Sequence, residues 1–166
     1  MKKLKQPKAA LHSFFHRMEA LGEKLGPALF QLPPRWGFNR DRLQAFLEEL
    51  PRGVRCAFEF RDESWHNRET HDLLRRNNAA FCIYHLASSW SPCEITADFI
   101  YMRLHGPGAP YKGKYSDPIL SSVADNLAEW DEKGSDIYCY FDNDEAGYAI
   151  QNAATLMEMI YRRKDT

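Results

Sequence analysis

The sequence carries no dominant charge: its 166 residues hold 22 Lys and Arg against 23 Asp and Glu, a formal net charge of -1. The electrostatic footprint of a duplex-binding protein is therefore missing. No stretch of about 18 apolar residues occurs, and no apolar signal-peptide core follows the basic start at Lys2, Lys3 and Lys5. Cysteine is sparse. Cys56, Cys82, Cys93 and Cys139 are 26, 11 and 46 positions apart, with no Cys-x-x-Cys pair, which excludes a disulfide scaffold and predicts buried free thiols in a cytoplasmic protein. Neither internal repeats nor low-complexity tracts interrupt the chain, so one domain over residues 1–166 is expected, frayed at 1–7 and 162–166. What remains is ordinary globular material, with 44% hydrophobic residues and 13% aromatics to supply a core.

Hydrophobic spacing alternates between two periods along the chain. Leu11, Phe14, Phe15, Met18, Leu21 and Leu25 recur at helical intervals before Gly26-Pro27, and an apolar run follows at Ala28–Leu32. Asn39 is placed to cap a helix with the face Leu43, Phe46, Leu47 and Leu50, ahead of a strand at Val54–Arg61. The cycle repeats as a helix near Arg68–Asn77, strands at Ala80–His85 and Phe99–His105, a helix from Asp117-Pro118 to Gly134, a strand at Asp136–Phe141 and a helix at Tyr148–Tyr161. Such alternation predicts an α/β protein with about five parallel strands and outer helices. An open sheet and an arc of a barrel both satisfy it.

The polar residues favour the arc. Side chains alternate along a strand, so Glu59 and Arg61 share one face, as do Tyr101, Arg103 and His105, while Phe58, Phe60, Ile100, Met102 and Leu104 take the other. A parallel sheet covered on both sides has nearly unbroken apolar strands, whereas a barrel with a polar interior toward the carboxyl ends of its strands accommodates these charges.

Four motifs, Phe30-Gln31-Leu32-Pro33-Pro34, Phe58-Glu59-Phe60-Arg61 with Ser64-Trp65, Tyr101-x-Arg103-Leu104-His105-Gly106 and Tyr140-Phe141-x-Asn143-Asp144, together resemble the domain of unknown function 72, or YecE-like, family. The resemblance runs from about Phe14 to Ile160 and implies a TIM-barrel-type fold with no established activity. It also implies His at position 62 and Asn at position 142, where this chain has Asp62 and Asp142. A closed eight-stranded barrel needs about 250 residues. The chain is therefore expected to match only the carboxyl-terminal part of the family, a partial barrel of the last five of eight strands. On that reading it is a truncated remnant, or a homo-oligomer or missing amino-terminal segment completes it.

Candidate chemistry gathers at the predicted strand ends. Glu59 and His105 are proton-transfer candidates, Arg61 and Arg103 are anion clamps, and Gln31, Trp65 and Asn143 are expected to orient a ligand, with Trp65 walling the mouth of a cavity. The bland alternative is a buried ion pair of Glu59 with Arg61 or Arg103. The loop Gly106–Tyr115 offers Gly108 and Gly113 with Lys112 and Lys114 for a phosphate, or else serves as a solvated lid. Asp142-Asn143-Asp144 superficially matches a calcium loop but lacks its later ligands, and a helix cap at Asp144 is expected instead. His12 and His16 have zinc spacing without a third ligand; no metal is expected and no cofactor is indicated. Two functions follow from these residues. One is acid-base or hydrolytic chemistry on a small anionic or polar ligand. The other is a non-catalytic module binding a protein, or less readily single-stranded nucleic acid, through open sheet edges or an aromatic mouth. No membrane partner is expected.

Overall fold

A computed structural model describes Leu4 and residues 7–164. The expected fraying at 1–3, 5, 6, 165 and 166 lies outside the described residues. The chain forms two compact units, the first reaching Phe81 and including Glu94–Ala97, the second comprising Cys82–Cys93 and the residues from Asp98 on.

In the first unit, helix α1 (Pro7–Met18) precedes strand β1 (Ala28–Leu32), helix α2 (Arg40–Glu48), strand β2 (Cys56–Phe60) and helix α3 (Arg68–Arg76). The first helix stops seven residues short of Leu25. Gly22 adopts φ +50°, ψ -129°, and the intervening residues Glu19–Lys24 form a 3-10 turn, so apolar spacing alone overstates the helix. Asn39 and Asn67 cap α2 and α3, each side chain accepting the backbone N–H three residues on, from Arg42 at 3.0 Å and from Thr70 at 2.9 Å. β1 and β2 pair in parallel, with Gln31 beside Glu59. All five residues of β2 are buried, and Phe30, Phe46, Phe58 and Phe60 pack ring against ring along it.

Strand β3 (Ala80–Leu86) pairs in parallel with β2 through Ala80 and Phe81, and its later residues belong to the second unit. There β3 turns back into the two-residue strand β4 (Ser89–Trp90), which is antiparallel to it. Pattern reading misses this hairpin because its turn residues, Ala87 and Ser88, both take positive φ (48° and 71°) without the glycine or asparagine that normally marks such a turn. Local ties compensate: Ala87 N–H donates to Gly106 O at 3.0 Å, and Ser88 Oγ donates to Pro107 O at 2.9 Å. Strand β5 (Phe99–Leu104), helix α4 (Asp117–Glu132), strand β6 (Asp136–Phe141) and helix α5 (Tyr148–Lys164) complete the unit, with β3, β5 and β6 parallel in that order. Arg163 ties the last turn of α5 to α4 through Asp125 at 2.8 Å and Ser121 Oγ at 2.8 Å, so the helix outlasts its apolar face. The architecture is an α/β fold of parallel strands and surrounding helices, consistent with a TIM-like arrangement. Among the described residues no helix is long and apolar enough to cross a membrane.

Candidate functional site

The register of β3, β5 and β6 sets Tyr84, Arg103 and Tyr140 side by side, and Tyr101 two residues earlier on β5. Alternation therefore gives this face of the second unit a row of phenols and one guanidinium, while Ile83, Met102 and Leu104 point the other way. Tyr101 and Tyr140 stack with ring centroids 5.1 Å apart. Burial, reinforced by neighbouring Tyr140, pushes the Tyr101 phenol above its ordinary range, so it is a hydroxyl and not a phenolate.

Just beyond the strand ends, Asp142 joins Arg103 of β5 and His105, the residue that follows that strand. Its backbone N–H donates to Leu104 O at 2.9 Å, extending the ladder by one step. That step carries its carboxylate to 3.0 Å from Arg103 Nε and 3.4 Å from His105 Nδ1. His105 is wholly buried, whereas the Arg103 and Asp142 side chains keep 17% and 26% of their exposure, enough for a solute to reach them. Tyr111 closes over the imidazole edge-on at 5.3 Å, and its N–H donates to His105 O at 2.5 Å.

The loop after β5 is tied down by hydrogen bonds from its own backbone and from α5. Gly106 takes φ +112° with the backbone of Lys112 so close that no side chain fits there. Asn152 reaches from α5 to hold Tyr115 at both backbone groups, accepting from its N–H and donating to its carbonyl, each at 3.0 Å. Gly106 N–H donates to the Tyr115 hydroxyl at 2.9 Å, and that hydroxyl lies 3.0 Å from His85 Nδ1. Burial lowers the His85 pKa, so its ring is neutral and Nδ1 can accept the phenolic proton.

Several expected ligand contacts are engaged in holding this loop. Asn143 is fully buried and donates to Gly113 O at 2.8 Å and Asn152 Oδ1 at 3.0 Å, fastening the loop. Gly113 N–H, one of the proposed phosphate donors, is taken by Glu145 Oε2 at 3.0 Å. Lys114 donates to Gln151 at 2.9 Å, and Lys112 is exposed. Asp144 makes no side-chain cap and stands exposed, because a 3-10 turn at Glu145–Gly147 separates it from α5.

In the first unit, Glu59 and Arg61 form an ion pair, with side-chain exposures of 0% and 7%. Such a pair organises an interior, since each charge would be costly there alone. Gln31 is exposed beside Glu59 on the neighbouring strand. Trp65, expected at a cavity mouth, is instead completely buried: it stacks on Phe60 at 4.8 Å and donates its indole N–H to Trp36 O at 2.7 Å. A large amphipathic ring with its one donor satisfied is a core anchor. Asp62 caps the turn holding that tryptophan, and the Ser64 hydroxyl followed by the Ser64 N–H lowers its carboxyl pKa.

The family model for the protein of unknown function DUF72 matches residues 1–166. The chain belongs to the DUF72 family. A DUF72 protein of solved structure from Thermotoga maritima MSB8 is 27% identical, with a TM-score of 0.85 over 95% of this chain and 66% of that one. Two structures of a DUF72 protein from Enterococcus faecalis V583, at 16% and 17% identity, superpose with TM-scores of 0.80 and 0.78 over 95% and 93% of this chain and 67% of theirs, and show the fold alone. The chain thus spans about two thirds of the length of these DUF72 structures. No curated protein matches the sequence. The expectation that only the carboxyl-terminal part of the family is represented is not supported, since the DUF72 match covers the whole chain. The motifs begin at Phe30 because polar signatures cluster at strand ends, whereas α1 offers only a helical apolar face.

Arg103 and His105 of this DUF72 protein meet at Asp142, which the strand pattern alone does not pair with them. Asp142 had a legible signal, one residue past β6 where a parallel neighbour of β5 must bring it beside His105. Tyr111 had none, because its position depends on a positive φ of 64° in an irregular loop.

Proposed function

We propose that the cluster Arg103, His105 and Asp142, with Tyr111 and Tyr140 at its rim, binds a small anion carrying a carboxylate or phosphate and performs acid-base chemistry on it. The observation that carries this reading is the single Asp142 carboxylate shared between a guanidinium at 3.0 Å and a buried imidazole at 3.4 Å. His105 is the proton-transfer group of this reading, with the Asp142 carboxylate beside its Nδ1. An incoming anion competes with Asp142 for Arg103, and the planar guanidinium suits either anion. Exposed Tyr111 and Tyr140 supply hydroxyls and ring faces for the rest of the ligand. Glu59 is assigned to its ion pair with Arg61 and not to catalysis. In a titration of inorganic phosphate or acetate followed by imidazole nitrogen NMR, the His105 resonances move saturably. If only other histidines respond, the assignment is wrong.

A second reading, an interaction module, is favoured by the outer edge of the second unit. Among the described residues β6 pairs only with β5 and is nowhere fully buried, and α5 exposes Ile150, Met157 and Tyr161 at helical spacing. Light scattering after size exclusion tests it, because an edge of this kind drives self-association that Met157→Glu abolishes.

A further inference from the structure

The opposite face of the second unit holds a cavity unrelated to the polar cluster. Most strand-to-strand crossovers in such folds place a helix over the sheet, but residues 87–98 between β3 and β5 contain only the short strand β4. The outer face of β3 and β5 is thereby roofed by α4 on one side and by Trp90 on the other, leaving a space of about 350 Å³. Its floor is the register pair Ile83 and Met102, and Val123 and Trp130 of α4 face it.

We infer that this cavity is a binding site for a neutral, planar aromatic molecule of one or two rings. The volume falls in the range of small-molecule pockets, which are mainly apolar with a few polar groups. No Lys, Arg, Asp or Glu lines it, so an ionic ligand would lose its hydration with nothing in return. Two indoles line the space. Trp90 is half-exposed at the opening, its ring already 4.4 Å from that of His85, and so presents an aromatic surface to an entering ring. Trp130 is 6% exposed and forms part of the wall. Cys93 stands exposed at the rim, where it reports occupancy.

The test uses 2-naphthol as probe and the indole N–H resonances of the four tryptophans as readout. Saturable shifts are expected for Trp130 and Trp90, with Trp36 and Trp65 as unmoved controls, together with slower alkylation of Cys93 by iodoacetamide. Ser122, exposed on α4 at the cavity, gives a variant that leaves the core untouched: Ser122→Trp is expected to weaken the probe at least about tenfold. Absence of saturable shifts, equal shifts at all four indoles, or undiminished binding by Ser122→Trp overturns the inference. So does movement of the Trp130 resonance with protein concentration alone, because a second copy of the chain would then be the occupant.

Discussion

The Asp142 carboxylate lies 3.4 Å from Nδ1 of the fully buried His105, each residue one position beyond the end of one of two paired parallel strands. The same carboxylate oxygen holds Arg103, so a change at Asp142 acts on both neighbours. Asp142→Asn removes the anion that competes for the guanidinium. Inorganic phosphate is therefore expected to bind more tightly to Asp142→Asn than to wild type in a calorimetric titration, while any proton-transfer activity falls. Weaker phosphate binding by this variant contradicts the competition.

The ion pair of Glu59 and Arg61 predicts an asymmetry in stability. Glu59→Gln removes the carboxylate that faces a nearly inaccessible guanidinium and is expected to cost about 3–5 kcal/mol, whereas replacing both residues by Met costs much less than the two single changes summed. Urea unfolding of the three variants measures this. A single-variant loss below about 1 kcal/mol, the level of an exposed pair, removes the organising role.

Asn152 is expected to control the loop after β5. Asn152→Ala strands both backbone groups of Tyr115 and one donor of Asn143, a loss of about 2 kcal/mol or more when buried groups go unsatisfied. Hydrogen exchange at the Tyr115 amide reads it directly, and unchanged protection there contradicts the latch.

Acid should destabilise the protein through its buried histidines. Burial lowers the pKa of both His85 and His71, so below the ordinary value of about 6.5 the unfolded chain binds more protons than the folded one, and stability falls with pH. The effect is complete once the pH lies below the depressed folded values. Urea midpoints are expected to drop between pH 7.5 and 5.5, and to drop less in the His71→Gln, His85→Gln double variant. An equal drop in both proteins assigns the acid sensitivity elsewhere.

The thiols give a simpler check on burial. Cys93 is exposed, while burial pushes the Cys56 and Cys139 thiols up to about 12 and Cys82 is enclosed. At pH 8 iodoacetamide is expected to modify Cys93 much faster than the other three. Fast loss of a second thiol in the folded protein contradicts the packing described.

How much of this was legible in the sequence depended on whether a residue's position follows from local rules. Strand alternation placed Arg103 and His105 on one face, and the capping role of Asn39 followed from its short side-chain acceptor. Residues whose roles are set by distant partners were not legible. Trp65 reads as a rim residue until the carbonyl of Trp36, 29 positions away, is seen to accept its N–H. Asn143 reads as a ligand contact until Asn152 and Gly113 are found beside it. The hairpin at Ala87 and Ser88 escaped because tertiary hydrogen bonds, not glycine, sustain its positive φ angles.

The most direct measurement is calorimetric titration of inorganic phosphate into wild type and Arg103→Ala, with the fold of each verified by circular dichroism. A charge-assisted hydrogen bond contributes roughly 1.5–3 kcal/mol, so Arg103→Ala is expected to weaken binding by about tenfold or more. Equal affinities in two folded proteins would show that the guanidinium beside Asp142 is not an anion site.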